Sequence, residues 1–165
     1  MNEYQVNNAN FEAAAPVDNA GTIDAALKLD NQLCFPLYAC SREMIKQYKI
    51  YLDKLDLTYT QYIAMMVLWE SKTVTAKELG RRLYLDSGTL TPLLKRLEGK
   101  GFLRRRRDPS DERSLLVSIT EKGEALKEQA MNVTCRVSQT SVLTPEENET
   151  LYRILYKMLT AAEQD

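Results

Sequence analysis

Between Thr75 and Ile119 the sequence places start and stop signals too close together for any long helix or large sheet. Thr75-Ala-Lys-Glu78 has the capping-box pattern, a hydroxyl three residues ahead of an acid, and predicts a helix to about Leu83. Tyr84–Leu85 makes a short turn. Asp86–Ser87 then caps a second helix to about Lys100, and Gly101 stops it. Phe102 to Arg107 and Ser114 to Ile119 read as strands on either side of the turn cluster Asp108-Pro109-Ser110-Asp111. Two short helices, a tight turn and a two-stranded hairpin together predict a winged helix-turn-helix, with the helix pair at about 75–100 and the wing at about 102–119.

The flanks are helical. Residues 1–28, rich in Asn and Ala, read as a flexible tail, unless Ala25 to Leu29 extends the first helix backwards. From about 30 to 56, Leu33, Leu37, Met44, Ile45, Tyr48, Leu52 and Leu55 form an apolar stripe. Pro36 interrupts it. Proline is tolerated in a first helical turn, so either the regular helix begins near Phe35–Pro36, with Cys34 at its N-terminal end, or a longer helix kinks there. Thr60 to Glu70 is apolar nearly all round and predicts a buried helix. Thr120 caps a helix towards Ser138. Thr144-Pro145-Glu146-Glu147 starts a last one to about Ala162, with Leu151, Ile154, Leu155, Met158 and Leu159 on one face. The expected fold is mainly α with a small β-wing, in one domain over about 29–163.

The formal net charge is −1, but its distribution is uneven. Ala76 to Arg113 holds eleven Lys/Arg against six Asp/Glu, inside an otherwise acidic chain. A basic segment of this kind is the footprint of a phosphate-binding face, although a charge run alone is more often a solvated surface. The chain has no histidine, which removes His-ligated metal sites and His-based catalytic pairs, and no cofactor is expected. Three cysteines in a chain of this length are no disulfide scaffold. No signal peptide opens the sequence. The longest apolar run, Ile63 to Trp69, is too short to cross a bilayer, so a cytoplasmic protein without membrane contact is expected.

Such a fold inserts its second helix into the major groove of double-stranded DNA by its N-terminal residues. Leu90, Leu93, Leu94 and Leu97 give that helix an inner face. Ser87, Thr89, Thr91, Lys95 and Arg96 are left to meet phosphates and base edges. Pro92 stands just past the first turn and is expected to distort it. In the wing, Arg105, Arg106 and Arg107, with Arg104 before them and Arg113 after the turn, suit a narrow minor groove. Asp111 stands two residues before Arg113 and can orient its guanidinium through a bidentate pair. The plainer reading of the arginine run is a charged edge strand that resists sheet aggregation. Each protomer reads half a site, so a two-fold operator requires a homodimer. The helices at about 30–56 and 121–162 are expected to interleave with a partner chain.

Leu29-Asp-Asn-Gln-Leu-Cys34-Phe, Ser41-Arg-Glu-Met44, Leu57-Thr-Tyr59-Thr-Gln-Tyr62, Tyr84-Leu-Asp-Ser-Gly-Thr-Leu-Thr-Pro-Leu-Leu-Lys95-Arg-Leu-Glu98 and Asp111-Glu-Arg-Ser114 resemble the MarR family, and more narrowly its organic hydroperoxide repressors. The resemblance covers about residues 29 to 160. It implies a repressor that leaves its operator when Cys34 is oxidised by an organic hydroperoxide. It further implies that hydroxyls matching Tyr48 and Tyr59, from the partner chain, hydrogen-bond the reactive sulfur, and that Asp111 and Arg113 fix and insert the wing tip. Physical chemistry is compatible with this: the positive end of a helix favours thiolate, and tyrosine donors favour it further. Apolar neighbours Leu33, Phe35 and Leu37 suit a hydrocarbon-bearing peroxide. Without the resemblance, Cys34 reads as a small buried hydrophobe.

Oxidation first gives a sulfenic acid. Either Cys135 of the other chain or a low-molecular-weight thiol then resolves it, while Cys40 is assigned to packing. Two other readings compete. One is a MarR-type regulator gated by a small aromatic ligand, with Cys34 inert. The other is a thiol peroxidase using Cys34, which the absence of histidine disfavours.

Overall fold

The computed structural model describes residues 27–162. The expected tail therefore lies outside the described residues up to position 26. The chain divides into two units, residues 1–43 and 44–165.

In the first unit, a short 3-10 turn at Leu29–Asn31 leads into α1, Cys34–Leu52. Phe35 N–H donates to the Gln32 carbonyl at 3.1 Å. Pro36 is the third helical residue, where its missing N–H costs nothing. Of the two readings of Pro36, the regular helix starts beside it rather than kinking at it.

The second unit holds the end of α1, a 3-10 turn at Asp53–Leu55, and then α2, Tyr59–Ser71. Thr58 and Gln61 form a capping box at the start of α2: Gln61 N–H donates to Thr58 Oγ1 and Thr58 N–H donates to Gln61 Oε1. As expected from its apolar composition, α2 is buried along most of its length. Strand β1, Thr73–Thr75, precedes α3, Ala76–Leu83, and α4, Ser87–Gly99. The wing is β2, Leu103–Asp108, and β3, Asp111–Ile119. Then come α5, Glu121–Ser138, and α6, Pro145–Ala162.

The caps at Thr75, Asp86, Thr120 and Thr144 all form. The first three accept from the backbone N–H groups of Glu78, Thr89 and Gly123. Thr144 and Glu147 exchange a reciprocal pair. Gly101 sits at φ 77 just beyond α4, the left-handed geometry that ends a helix cheaply with glycine.

The expected two-stranded hairpin is a three-stranded antiparallel sheet, in the order β1-β3-β2. Residues Thr73–Thr75 pair with Ser118, Val117 and Leu116. This strand is too short to show as a periodic pattern, and its stability comes from pairing with distant residues. The sheet contributes Leu103 and Val117 to a core whose other largest fully buried side chains are Leu52, Met65, Leu68, Leu79, Leu94 and Leu97. Trp69 Nε1–H donates to the Gly123 carbonyl at 2.8 Å, tying α2 to the first turn of α5.

Among the described residues no helix is long and apolar enough to cross a membrane, and no cluster of His, Cys, Asp or Glu fits a metal ion.

Candidate nucleic-acid interface and thiol site

The four leucines at Leu90, Leu93, Leu94 and Leu97 recur at i, i+3, i+4, i+7 and are all buried, so α4 is seated on the core by one stripe. The opposite face is therefore fixed outward. Ser87, Thr89, Thr91, Lys95 and Arg96 are all exposed on it. Asp86 accepts from Thr89 N–H at 2.9 Å and from its hydroxyl at 3.0 Å, and these bonds hold the Asp86 carboxyl below its ordinary range. The helix start is thus anchored by an ionised cap. α3 comes close at Gly80, where an added Cβ would lie 2.9 Å from the Leu85 carbonyl oxygen. Leu85 lies in the turn between α3 and α4, so a side chain at position 80 would press on the backbone of that turn. α4 continues through Pro92, although a proline in a helix interior typically costs about 3 kcal/mol.

The wing sorts its arginines by the two-residue period of a strand. Arg105 pairs across the ladder with buried Val117, so its side chain shares the inner face with Leu103. There its guanidinium meets Glu98 of α4, with Nε at 2.8 Å and Nη2 at 2.5 Å, while its N–H donates to the same carboxylate at 2.8 Å. The three bonds hold Glu98 below the usual carboxylate range. Expected at the DNA face, Arg105 instead has its charge engaged by Glu98 and clamps the wing to α4. Neither this role nor that of Glu98 was foreseen, although the alternation starting at Leu103 points Arg105 inward.

Arg104, Arg106, Arg107 and Arg113 are exposed. Arg107 Nη1–H donates to the Glu112 carbonyl at 3.1 Å. Asp111 does not make the expected bidentate pair with the Arg113 guanidinium. Its carboxylate accepts the Arg113 backbone N–H at 3.1 Å, which shapes the turn and leaves the guanidinium outward. The side chains of Lys95, Arg96, Arg104 and Arg113 have no hydrogen-bond or ion-pair partner among the described residues, so their charge faces solvent. Beneath α4, an apolar groove of about 350 Å³ runs between Ala76, Leu90, Leu94 and Leu115, with Lys77 and Arg105 at its edges.

Within the first unit, Cys34 is the first residue of α1 and is a free, exposed thiol between exposed Leu33 and Phe35. Cys40 is also exposed, so the assignment to packing does not hold within the chain. Within the second unit, Cys135 is free and exposed on α5. Tyr48 and Tyr59 meet edge to face with ring centroids 5.1 Å apart, and Tyr62 adds a third ring 6.0 Å from Tyr48. Burial pushes the pKa values of Tyr48 and Tyr59 up. Their hydroxyls therefore stay protonated, as hydrogen-bond donors, throughout the neutral range.

A leucine-seated recognition helix, a charged hairpin clamped to it and a helical frame define a winged helix-turn-helix transcriptional regulator. A family model described as transcriptional regulator SarA/Rot matches residues 46–130. The organic hydroperoxide resistance transcriptional regulator of Bacillus subtilis (strain 168) is 51% identical over 138 residues, covering 84% of this chain and 94% of that protein. The reduced form of AbfR, a protein of Staphylococcus epidermidis solved bound to DNA, matches with a TM-score of 0.70 at 34% identity, over 85% of this chain and 98% of that one. AbfR in a disulfide form matches with a TM-score of 0.57 at 34% identity, over 89% and 100%. The chain belongs to the MarR family of transcriptional regulators, which are not enzymes, and within it to the organic hydroperoxide resistance (OhrR) type.

Proposed function

We propose that this chain is a cytoplasmic, homodimeric repressor that holds a two-fold operator while Cys34 is reduced and releases it when an organic hydroperoxide oxidises that sulfur. The observation that carries the reading is the placement of Cys34: an exposed thiol opening a helix, flanked by apolar side chains. The relatives support it, one being named for organic hydroperoxide resistance and another solved both reduced on DNA and as a disulfide.

The Cys34 thiolate attacks the terminal oxygen of the peroxide. An S–O bond forms, the O–O bond breaks, and the alkoxide leaves and is protonated to the alcohol. Sulfur is oxidised by two electrons and the peroxide is reduced by two. Tyr48 and Tyr59 of the partner chain donate hydrogen bonds to the sulfur, a role for which their raised pKa values suit them. The sulfenic acid then condenses with a second thiol and loses water. Either the partner's Cys135 or a low-molecular-weight thiol supplies that sulfur.

On DNA, Ser87, Thr89, Thr91, Lys95 and Arg96 enter the major groove. Arg106, Arg107 and Arg113 serve the wing, Asp111 shapes its tip, and Arg105 holds it in place. Exposed apolar residues of the second unit along α1 and α6, among them Ile45, Ile50, Leu151 and Ile154, form the dimer face.

The test is operator binding by the purified, reduced protein before and after cumene hydroperoxide. Loss of binding in the wild type and its retention in Cys34→Ser is the expected result. Equal loss in both, or release by a small aromatic ligand with peroxide inert, would move the switch elsewhere, the groove beneath α4 being the place to look. In the same assay Arg113→Ala weakens binding by about 1–3 kcal/mol. Unchanged affinity would remove the wing from the interface.

A further inference from the structure

Pro92 is the sixth residue of α4 and has no N–H, so the Gly88 carbonyl four residues earlier lacks its helical donor. The proline ring also crowds that carbonyl and tilts it away from the helix axis. At 100° per residue, Gly88, Pro92 and Lys95 lie opposite the buried stripe of Leu90, Leu93, Leu94 and Leu97, and all three are exposed. The freed acceptor therefore sits on the outermost line of the helix.

The chemistry of this face is otherwise one-sided. From Ser87 to Arg96 no residue is Asp, Glu, Asn or Gln. Lys95 and Arg96 only donate, and the hydroxyls of Ser87, Thr89 and Thr91 can do either. The nearest carboxylate, Asp86, is occupied by the Thr89 N–H and hydroxyl and by the Gly88 N–H. In the major groove, guanine offers acceptors, which suit Lys and Arg, whereas cytosine N4 and adenine N6 offer donors. Apart from those hydroxyls, the helix offers an exocyclic amine no free acceptor but its own main chain.

We infer that the Gly88 main-chain carbonyl, released by Pro92, is that acceptor and reads the amine of one cytosine or adenine in each half-site. This rests on the proposal that α4 enters the major groove. It makes Pro92 a specificity-determining residue that acts through the backbone. The helical distortion expected of Pro92 becomes a means of exposing a base-reading group.

The experiment selects DNA from a random duplex library with the reduced full-length protein, and in parallel with Pro92→Ala and Pro92→Val. Both variants restore an N–H, and Pro92→Val also keeps apolar bulk. Both are expected to fold, since they add a helical hydrogen bond, and melting curves check this. The wild type should require A or C, rather than G or T, on one defined strand at one position per half-site where both variants accept any base. On the selected duplex, that adenine is then replaced by purine lacking the 6-amino group, or that cytosine by pyrimidin-2-one. Deleting the amine should weaken the wild type roughly three- to tenfold and leave both variants nearly unchanged. Identical preferences in all three proteins, or equal sensitivity to the missing amine, would overturn the inference while leaving DNA binding intact. So would Pro92→Val keeping the preference that Pro92→Ala loses, because the ring's bulk would then be the reader. If the wild type enriches no sequence at all, the underlying DNA reading falls and takes this inference with it.

Discussion

α4 and α6 present the same apolar spacing and meet opposite fates. Leu90, Leu93, Leu94 and Leu97 of α4 are all buried. Leu151, Ile154, Leu155 and Met158 of α6 recur at the same spacing, yet all but the half-buried Leu155 are exposed, and α6 has no buried residue. The hydrogen bonds at α6 are local as well: Glu147 with Thr144, Asn148 with Ser141 and Leu143, Thr160 with Tyr156. Periodicity thus tells that a helix has a face to bury, but not what will cover it. The DNA-binding lobe supplies its own cover. On the proposed homodimeric reading α6 finds its cover in a second chain, since an apolar surface of that extent is the usual mark of an interface.

The largest effect should separate these two faces. Leu97→Ala empties a site with no solvent exposure and should cost about 2–5 kcal/mol in denaturant unfolding at any protein concentration. Ile154→Asp, on a residue 46% exposed, should leave the lobe folded and instead shift the chain towards monomer in sedimentation velocity. A variant that remains dimeric would mean that α6 is not the covered surface. A Leu97→Ala protein as stable as the wild type would mean that the lobe is held elsewhere.

α5 lies between these extremes, with its first turn locked into the lobe and later residues such as Met131 and Cys135 exposed. At Gly123 an added Cβ would stand 2.1 Å from the Phe102 carbonyl oxygen, a backbone atom that cannot rotate away. Gly123→Ala should therefore cost about 3 kcal/mol, the upper end of the usual range for overpacking. Thermal unfolding checks this. A change below about 0.5 kcal/mol would show that the base of the wing yields freely.

What was legible in the sequence was local. The caps at Thr75, Asp86, Thr120 and Thr144 act within one turn, and each could be read from residues three apart. Thr58 and Gln61 have the same spacing and were legible too, though overlooked. Strand β1 was not, because Thr73–Thr75 depends on partners at 116–118. Nor was the need for glycine at 123, which arises from the Phe102 backbone packing against it. The wing arginines fall between: the strand period separates Arg105 from Arg104 and Arg106, but only the fold shows that Glu98 waits on the inner side. Of the thiol site, the position of Cys34 at a helix start was readable, whereas the pairing of Tyr48 with Tyr59 required α1 and α2 to be brought together.

Glu98 carries the comparison into charge. The α6 carboxylate of Glu147 serves its own helix, whereas Glu98 joins α4 to the wing through three bonds from Arg105. Glu98→Gln keeps the shape and removes the charge. The loss should be about 1–2 kcal/mol, reduced because the Glu98 side chain remains 34% exposed. The pH dependence gives the sharper reading. Glu98 has a folded pKa below its unfolded value, which lies near about 4.3. Its contribution is therefore fully present above that value and declines as pH falls through the lower folded one. Wild type and Glu98→Gln should differ by a constant amount from neutrality down to about pH 5 and converge below it. Operator affinity should follow the same course as far as DNA binding can be measured, since a wing no longer held to α4 presents Arg106, Arg107 and Arg113 from a looser frame. A Glu98→Gln protein with wild-type stability at neutral pH would mean that the wing is held by its strand pairing alone. Charge on α4 would then matter no more to the lobe than charge on α6.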